Sequence, residues 1–200
     1  ILAINHTRRW DRNYVRVKEC IDQGKIGEIK SIVGNYSDKV FMVGTHLIDM
    51  LRFYGGNIDW VTGTGENLES DDPGVSGFLS FKSGVKGAMI CNGKRENLVF
   101  EVDLIGTKGR LRLLDNGHRT ELFQFEESAR YSGYQELKRQ PLPGLKRGKS
   151  PLVLAIKDIV QCIETGGEPA CSGEDGLKAL EIASTLCKSA KSDNEKVKLG

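Results

Sequence analysis

The sequence predicts an α+β fold, and three observations predict it. Helical periodicity is confined to separate stretches near the start, before residue 56 and at the end. Alternation of apolar and polar residues between glycine turns fills the middle, from Ile58 to about Glu126. The resulting order is α, β, α, many β, α, α. A length of 200 residues allows one or two domains, and one domain with appendages accounts for that order.

Ile1 to Asn5 form a short apolar, strand-like run. Tyr14, Val17 and Ile21 then recur at i, i+3 and i+7, which marks an amphipathic helix with Asp11 as N-cap. Its end falls near Gly24, where Gly24-Lys25-Ile26-Gly27 offers glycines for left-handed backbone. A strand is expected over Glu28 to Ser37. Leu47, Met50, Leu51 and Tyr54 sit at i, i+3, i+4 and i+7 between Gly44-Thr45 and Gly55-Gly56, predicting a helix from His46 to about Tyr54.

Turns at Lys82-Ser83-Gly84, Thr107-Lys108-Gly109 and Asp115-Asn116-Gly117 punctuate the antiparallel strands that follow. Asn116-Gly117 between two alternating runs is the strongest hairpin signal. Residues 127 to 150, with Pro141-Leu142-Pro143-Gly144 and many charges, read as a loop. Two helices close the chain, Ser150 to about Thr165 and Ser172 to about Ser192. The second opens on Ser172-Gly173-Glu174-Asp175 as a near capping box, with Leu177, Leu180, Ile182, Ala183, Leu186 and Cys187 as its broad buried face.

Lys+Arg 29 against Asp+Glu 27 gives a net charge of +2, so no electrostatic footprint for nucleic acid is expected. The basic runs Lys138-Arg139 and Lys146-Arg147-Gly148-Lys149 are read as solvated. No apolar run nears the roughly 18 residues of a membrane span, and no signal peptide is visible. Cysteines at 20, 91, 162, 171 and 187 are odd in number and lack any C-x-x-C pair. Reduced thiols and a cytoplasmic location are expected, without a disulfide framework or zinc ribbon. The chain opens without Met on its apolar run, from which an upstream segment is expected.

Nucleotide-binding fingerprints, a G-x-S-x-G elbow and metal-ligand spacing among His6, His46 and His118 are all missing. One constellation remains. His46 and Asp49, at i and i+3 near a helix start, share a face distinct from the Leu47/Met50/Leu51/Tyr54 stripe. Two readings stand: a general acid/base pair, or a histidine hydrogen-bonded for structure at a helix start. The helix terminus lowers the histidine pKa and the carboxylate raises it, predicting a value near neutrality. Arg8-Arg9-Trp10 is either an anion grip or a pair of solvated arginines beside a packed Trp. Asp71-Asp72-Pro73-Gly74 reads as a turn.

The segment Asn5-His6-Thr7-Arg8-Arg9-Trp10-Asp11, the run Ile21-Asp22-x-Gly24-x-Ile26-Gly27-x-Ile29, Gly44-Thr45-His46-Leu47-Ile48-Asp49, Phe100 to Gly109, and Asp175-Gly176-x-x-Ala179-Leu180-Glu181 together resemble the Gfo/Idh/MocA oxidoreductases. The resemblance runs in order over nearly the whole chain. It implies a large, mostly antiparallel sheet with helices on one face, as the C-terminal domain of an NAD- or NADP-dependent dehydrogenase of sugars, nucleotide sugars or polyols. Residues 1–10 would be the remnant of a last Rossmann strand with its linker, residues 11–200 the substrate domain, and an upstream Rossmann domain would hold the cofactor.

It further implies that His46 exchanges the proton of the substrate hydroxyl while hydride moves to or from nicotinamide. Asp49 would hold a sugar hydroxyl or orient the imidazole, and Arg9 would lie near the interdomain cleft. Homo-oligomers through the sheet are expected, with no nucleic-acid or membrane partner and no metal. Many members place an aspartate four residues before the histidine; here that position is Met42, which alters the expected proton relay. A non-catalytic dimerisation or sugar-binding module of the same fold is the rival expectation.

Overall fold

In the computed structural model, which describes residues 1–94, 96–142 and 149–200, Asp11 opens the first helix as its sequence predicts. Its carboxylate accepts from the Asn13 N–H at 2.8 Å, and α1 (Arg12–Asp22) turns Tyr14, Val17 and Cys20 inward. Strand β1 (Ile29–Tyr36) follows. Next comes α2 (Thr45–Gly55), preceded by a π-helical turn, Val40–Gly44, that no sequence signal marked. In that turn the Gly44 N–H reaches back to the Lys39 carbonyl at 3.0 Å, so the chain gains a residue and α2 is re-aimed.

Strands β2 (Ile58–Glu66), β3 (Gly74–Phe81), β4 (Lys86–Cys91), β5 (Phe100–Gly106), β6 (Gly109–Leu114), β7 (Arg119–Glu127) and β8 (Gln135–Gln140) follow. Helices α3 (Pro151–Thr165) and α4 (Gly173–Lys191) then lead to the short β9 (Val197–Lys198). The strands form one sheet of nine, in the order β8-β7-β6-β5-β1-β4-β3-β2-β9. Among the described residues every pairing is antiparallel except β1 with β4, where Ser31 faces Lys86 and Tyr36 faces Cys91.

The core lies between one face of the sheet and α1, α2 and α4. Ile32 and Tyr36 of β1, Val102 and Leu104 of β5 and Leu111 and Leu113 of β6 meet Val17, Leu47, Leu51 and Leu186 there. At Gly63 a Cβ would stand 2.1 Å from the Leu186 carbonyl oxygen, so a side chain of any size would lift α4 off β2. Among the described residues no helix covers the opposite face, and Val33, Phe78, Ile90 and Ile105 stay 36–39% exposed on it. Helices on one face of a mostly antiparallel sheet are thus what the chain builds. Helix α3 stands apart from this core and packs through Ala155 and Leu154 on Trp10, Cys171 and Ile4.

The predicted hairpin closes at Asp115, Asn116 and Gly117, all with positive φ. Its tip is seated against α1, because a Cβ on Gly117 would fall 2.3 Å from the Tyr14 ring. Two expectations need correction. Residues 135–140, read as loop, form an edge strand whose Gln-Glu-Leu-Lys-Arg-Gln text lacks apolar alternation because neither side of it is buried. The buried face of α4 is narrower than its pattern, since Leu177 and Leu180 are about half exposed while Ala179, Ile182, Ala183 and Leu186 are buried. Residues 197–198 add a strand to β2. Residues 1–5 make one isolated bridge, Ala3 to Ser172. Pro143-Gly144 and Lys146-Arg147-Gly148 lie outside the described residues. No helix among the described residues is long and apolar enough to cross a membrane.

Candidate active site

Arg9 organises the site. It lies on a 3₁₀ turn, Thr7–Trp10, fixed from below by Trp10, whose buried indole N–H donates to the Asp158 carboxylate of α3 at 3.0 Å. From there the guanidinium reaches Asp49 of α2 with two parallel bonds, Nε to Oδ2 at 2.8 Å and Nη2 to Oδ1 at 2.7 Å. Nη2 also donates to Asp175 Oδ1 at 3.1 Å, and the guanidinium carbon lies 4.5 Å from the Phe53 ring centre. The other Asp175 oxygen accepts from the Ser172 N–H at 3.1 Å and completes the capping box of α4, while Arg52 approaches Asp175 at 3.5 Å. One cation therefore ties the N-terminal turn, α2 and the start of α4 together, through bidentate geometry that a lysine cannot reproduce.

Asp49 has no exposed surface. Burial by itself would raise its carboxyl, yet the Arg9 hydrogen bonds, with His6 nearby, hold it below the usual carboxylate range. Burial likewise opposes the Arg9 charge, and Asp49 more than restores it. With both oxygens on Arg9 and no exposed surface, Asp49 faces inward as part of the scaffold and makes no hydrogen bond to the buried His46 Nδ1.

His46, one turn before Asp49, is only partly buried as a residue, but its Nδ1 is buried and has no hydrogen-bond partner. Its neighbour is His6, buried at the head of the 3₁₀ turn, with ring centres 4.6 Å apart and planes tilted by 51°. His6 Nδ1 stands 3.6 Å from Asp49 Oδ2, longer than a hydrogen bond but close enough for charges to attract. Burial first, then His6 and Arg8, push the His46 pKa down to about 4, and the Asp49 charge opposes this without prevailing. The balance near neutrality expected from the helix start and Asp49 is thus overridden by neighbours the sequence does not place beside the ring. At neutral pH the imidazole is uncharged. Met42 sits on the π turn, 45% exposed.

Donor atoms of His6, Asp49 and Cys171 lie within 4.8 Å of one another. The chemistry of the three argues against a metal ion. Arg9 occupies both Asp49 oxygens, and burial followed by the Asp49 charge pushes the Cys171 thiol up to about 12, so it stays protonated.

The structure places His46, Asp49 and Arg9 in one cluster. It adds His6, Cys171 and Asp175. Asp175 was legible as a capping residue, and its place in the quoted Asp175-Gly176 run was a further signal. His6 carried only its place in the Asn5-to-Asp11 run, because contacts across 40 residues leave no periodicity.

Residues 18–199 match the model of an oxidoreductase family, C-terminal alpha/beta domain. Myo-inositol 2-dehydrogenase of Thermotoga maritima is 28% identical over 94% of this chain, and inositol 2-dehydrogenase of Rhizobium meliloti is 29% identical over 94%. The chain spans 62% of the length of each. Among solved structures, levoglucosan dehydrogenase in its apo form superposes with a TM-score of 0.80 at 18% identity, over 100% of this chain and 67% of that one. The same enzyme in complex with NADH and L-sorbose gives 0.78 at 19%, over 100% and 66%. These two likenesses speak to the fold.

Proposed function

Because this chain belongs to the Gfo/Idh/MocA oxidoreductase family, as its C-terminal α/β domain, we propose that it supplies the acid/base half of an NAD- or NADP-dependent dehydrogenase acting on a sugar, nucleotide sugar or polyol. The observation that carries this is a partly exposed, neutral His46, mounted on a base that Arg9, Asp49 and Asp175 hold fixed. A bound nicotinamide supplies the hydride acceptor. The residues here supply the proton step: His46 takes the hydroxyl proton as the C–H bond is broken and returns it in the reverse direction. The inositol dehydrogenases among its relatives favour a polyhydroxylated substrate. The sequence has no glycine-rich phosphate loop, so none of these residues is assigned to hold the dinucleotide.

The test is turnover of the full-length protein with NAD or NADP and a panel of inositols and sugars. Replacing His46→Ala is expected to cost about 10²–10⁴-fold in kcat. Unchanged turnover would remove the assignment. The uncovered sheet face with Val33, Phe78, Ile90 and Ile105 is proposed as the contact between copies, and sedimentation of an Ile90→Lys variant as monomer is the expected result. A second reading, a binding module without catalysis, is favoured by Met42, whose thioether, four residues before His46 in the chain, cannot relay a proton as a carboxylate would; it predicts sugar binding with no turnover.

A further inference from the structure

His6 has no task in the proton transfer just described, yet it is buried against the one ring that performs it. We propose that His6 is the positioning residue of His46, its buried ring packed against that of His46, holding it in place and opposing a second charge beside it. The proposal rests on the acid/base reading of His46.

The geometry leaves little room for another role. His6 is fixed at both ends of its backbone: its N–H donates to the Ile4 carbonyl at 2.8 Å, and its carbonyl accepts from the Arg9 N–H at 3.0 Å. Its ring lies 4.6 Å from that of His46, and its Nδ1 is buried without a hydrogen-bond partner. Asp49 Oδ2 is 3.6 Å away and is already engaged by Arg9.

The charged and titratable groups around the pair come from each packed element. Arg8, Arg9 and His6 lie on the N-terminal turn, Asp49 on α2, and the neutral Cys171 before α4. Arg8 and a charged His6 both work against a proton on His46, and Asp49 alone works for one. Two rings in contact do not readily carry two charges. A hydrophobic ring in place of His6 would keep the packing but release this opposition.

The experiment follows the histidine ring signals of the whole protein by NMR from pH 3 to 9. The chain has only His6, His46 and His118, and exposed His118 supplies a reference. In His6→Phe the His46 midpoint should rise by roughly one unit. An unmoved midpoint in a folded variant would overturn the proposal. If His6→Phe fails to fold, His6→Gln takes its place under the same criterion. A raised midpoint with unimpaired turnover of His46→Ala would sink the acid/base reading and leave the pairing. Lost turnover in His46→Ala with an unmoved midpoint would do the reverse.

Discussion

Arg9 grips both oxygens of Asp49, at 2.8 and 2.7 Å, where Asp49 has no contact with solvent. Removing one partner strands a charge in the interior, whereas removing both leaves only volume to refill. Arg9→Met is expected to cost about 3–5 kcal/mol of stability, and the Arg9→Met/Asp49→Leu pair clearly less than the sum of the single changes. Urea unfolding of the four proteins measures this, and additive losses would mean that the pair is not coupled.

His46 makes stability depend on pH. Its pKa in the folded chain is about 4, below the unfolded 6.5, so between these values the unfolded chain holds a proton that the folded one declines. Stability therefore falls as pH drops from 6.5 to 4 and receives no further change from this group below 4. The full effect is at most about 3 kcal/mol, reduced by solvent at the exposed edge of the ring. The stability difference between the unaltered protein and His46→Gln, followed from pH 7.5 to 3.5, isolates it; a difference independent of pH would show that the ring is not desolvated.

Helix α4 lies so close to β2 that Gly63 has no space for a methyl group. Gly63→Ala should destabilise by about 1–3 kcal/mol through overpacking. Gly167→Ala meets nothing nearer than the Thr165 hydroxyl at 3.5 Å and should leave the thermal midpoint nearly in place. Equal midpoints for the two variants would show that α4 can shift without cost.

Thiol chemistry tests the interior beneath Arg9. Cys171 is buried with its pKa pushed up to about 12, so at pH 8 almost none of it is the reactive thiolate. Iodoacetamide should leave Cys171 unmodified in the native protein and alkylate it after denaturation, as peptide mass mapping would show. Rapid native labelling would mean that this region opens.

Much of this architecture is legible in the sequence because local patterns fix it: the Asp11 cap, the Leu47–Tyr54 stripe, the Asn116-Gly117 turn and the Ser172 box each work within a few residues. The illegible parts have non-local causes. Strand β8 has no apolar side to alternate because it is an exposed edge, and β9 is too short for any period. The π turn arises from how α2 must leave the sheet, and no residue type signals it. At the site, His46, Asp49 and Arg9 could be named from residue types, but the inward orientation of Asp49 and the contact of His6 with His46 depend on tertiary packing. The low pKa of His46 follows from that contact and from burial, neither of which a spacing rule contains.

The parallel seam between β1 and β4 bears on the order in which the molecule assembles. Strands β2 to β4 and β5 to β8 are each successive antiparallel neighbours, closed by nearby turns. By contrast Ser31 must find Lys86, and Ile32 must find both Gly87 and Leu104, across more than fifty intervening residues. Such closures cost chain entropy before any contact repays it. The two meanders are therefore expected to form early, with β1 sealing them together late, like a keystone. Trimming Ile32→Val should then speed unfolding while leaving the refolding rate nearly unchanged.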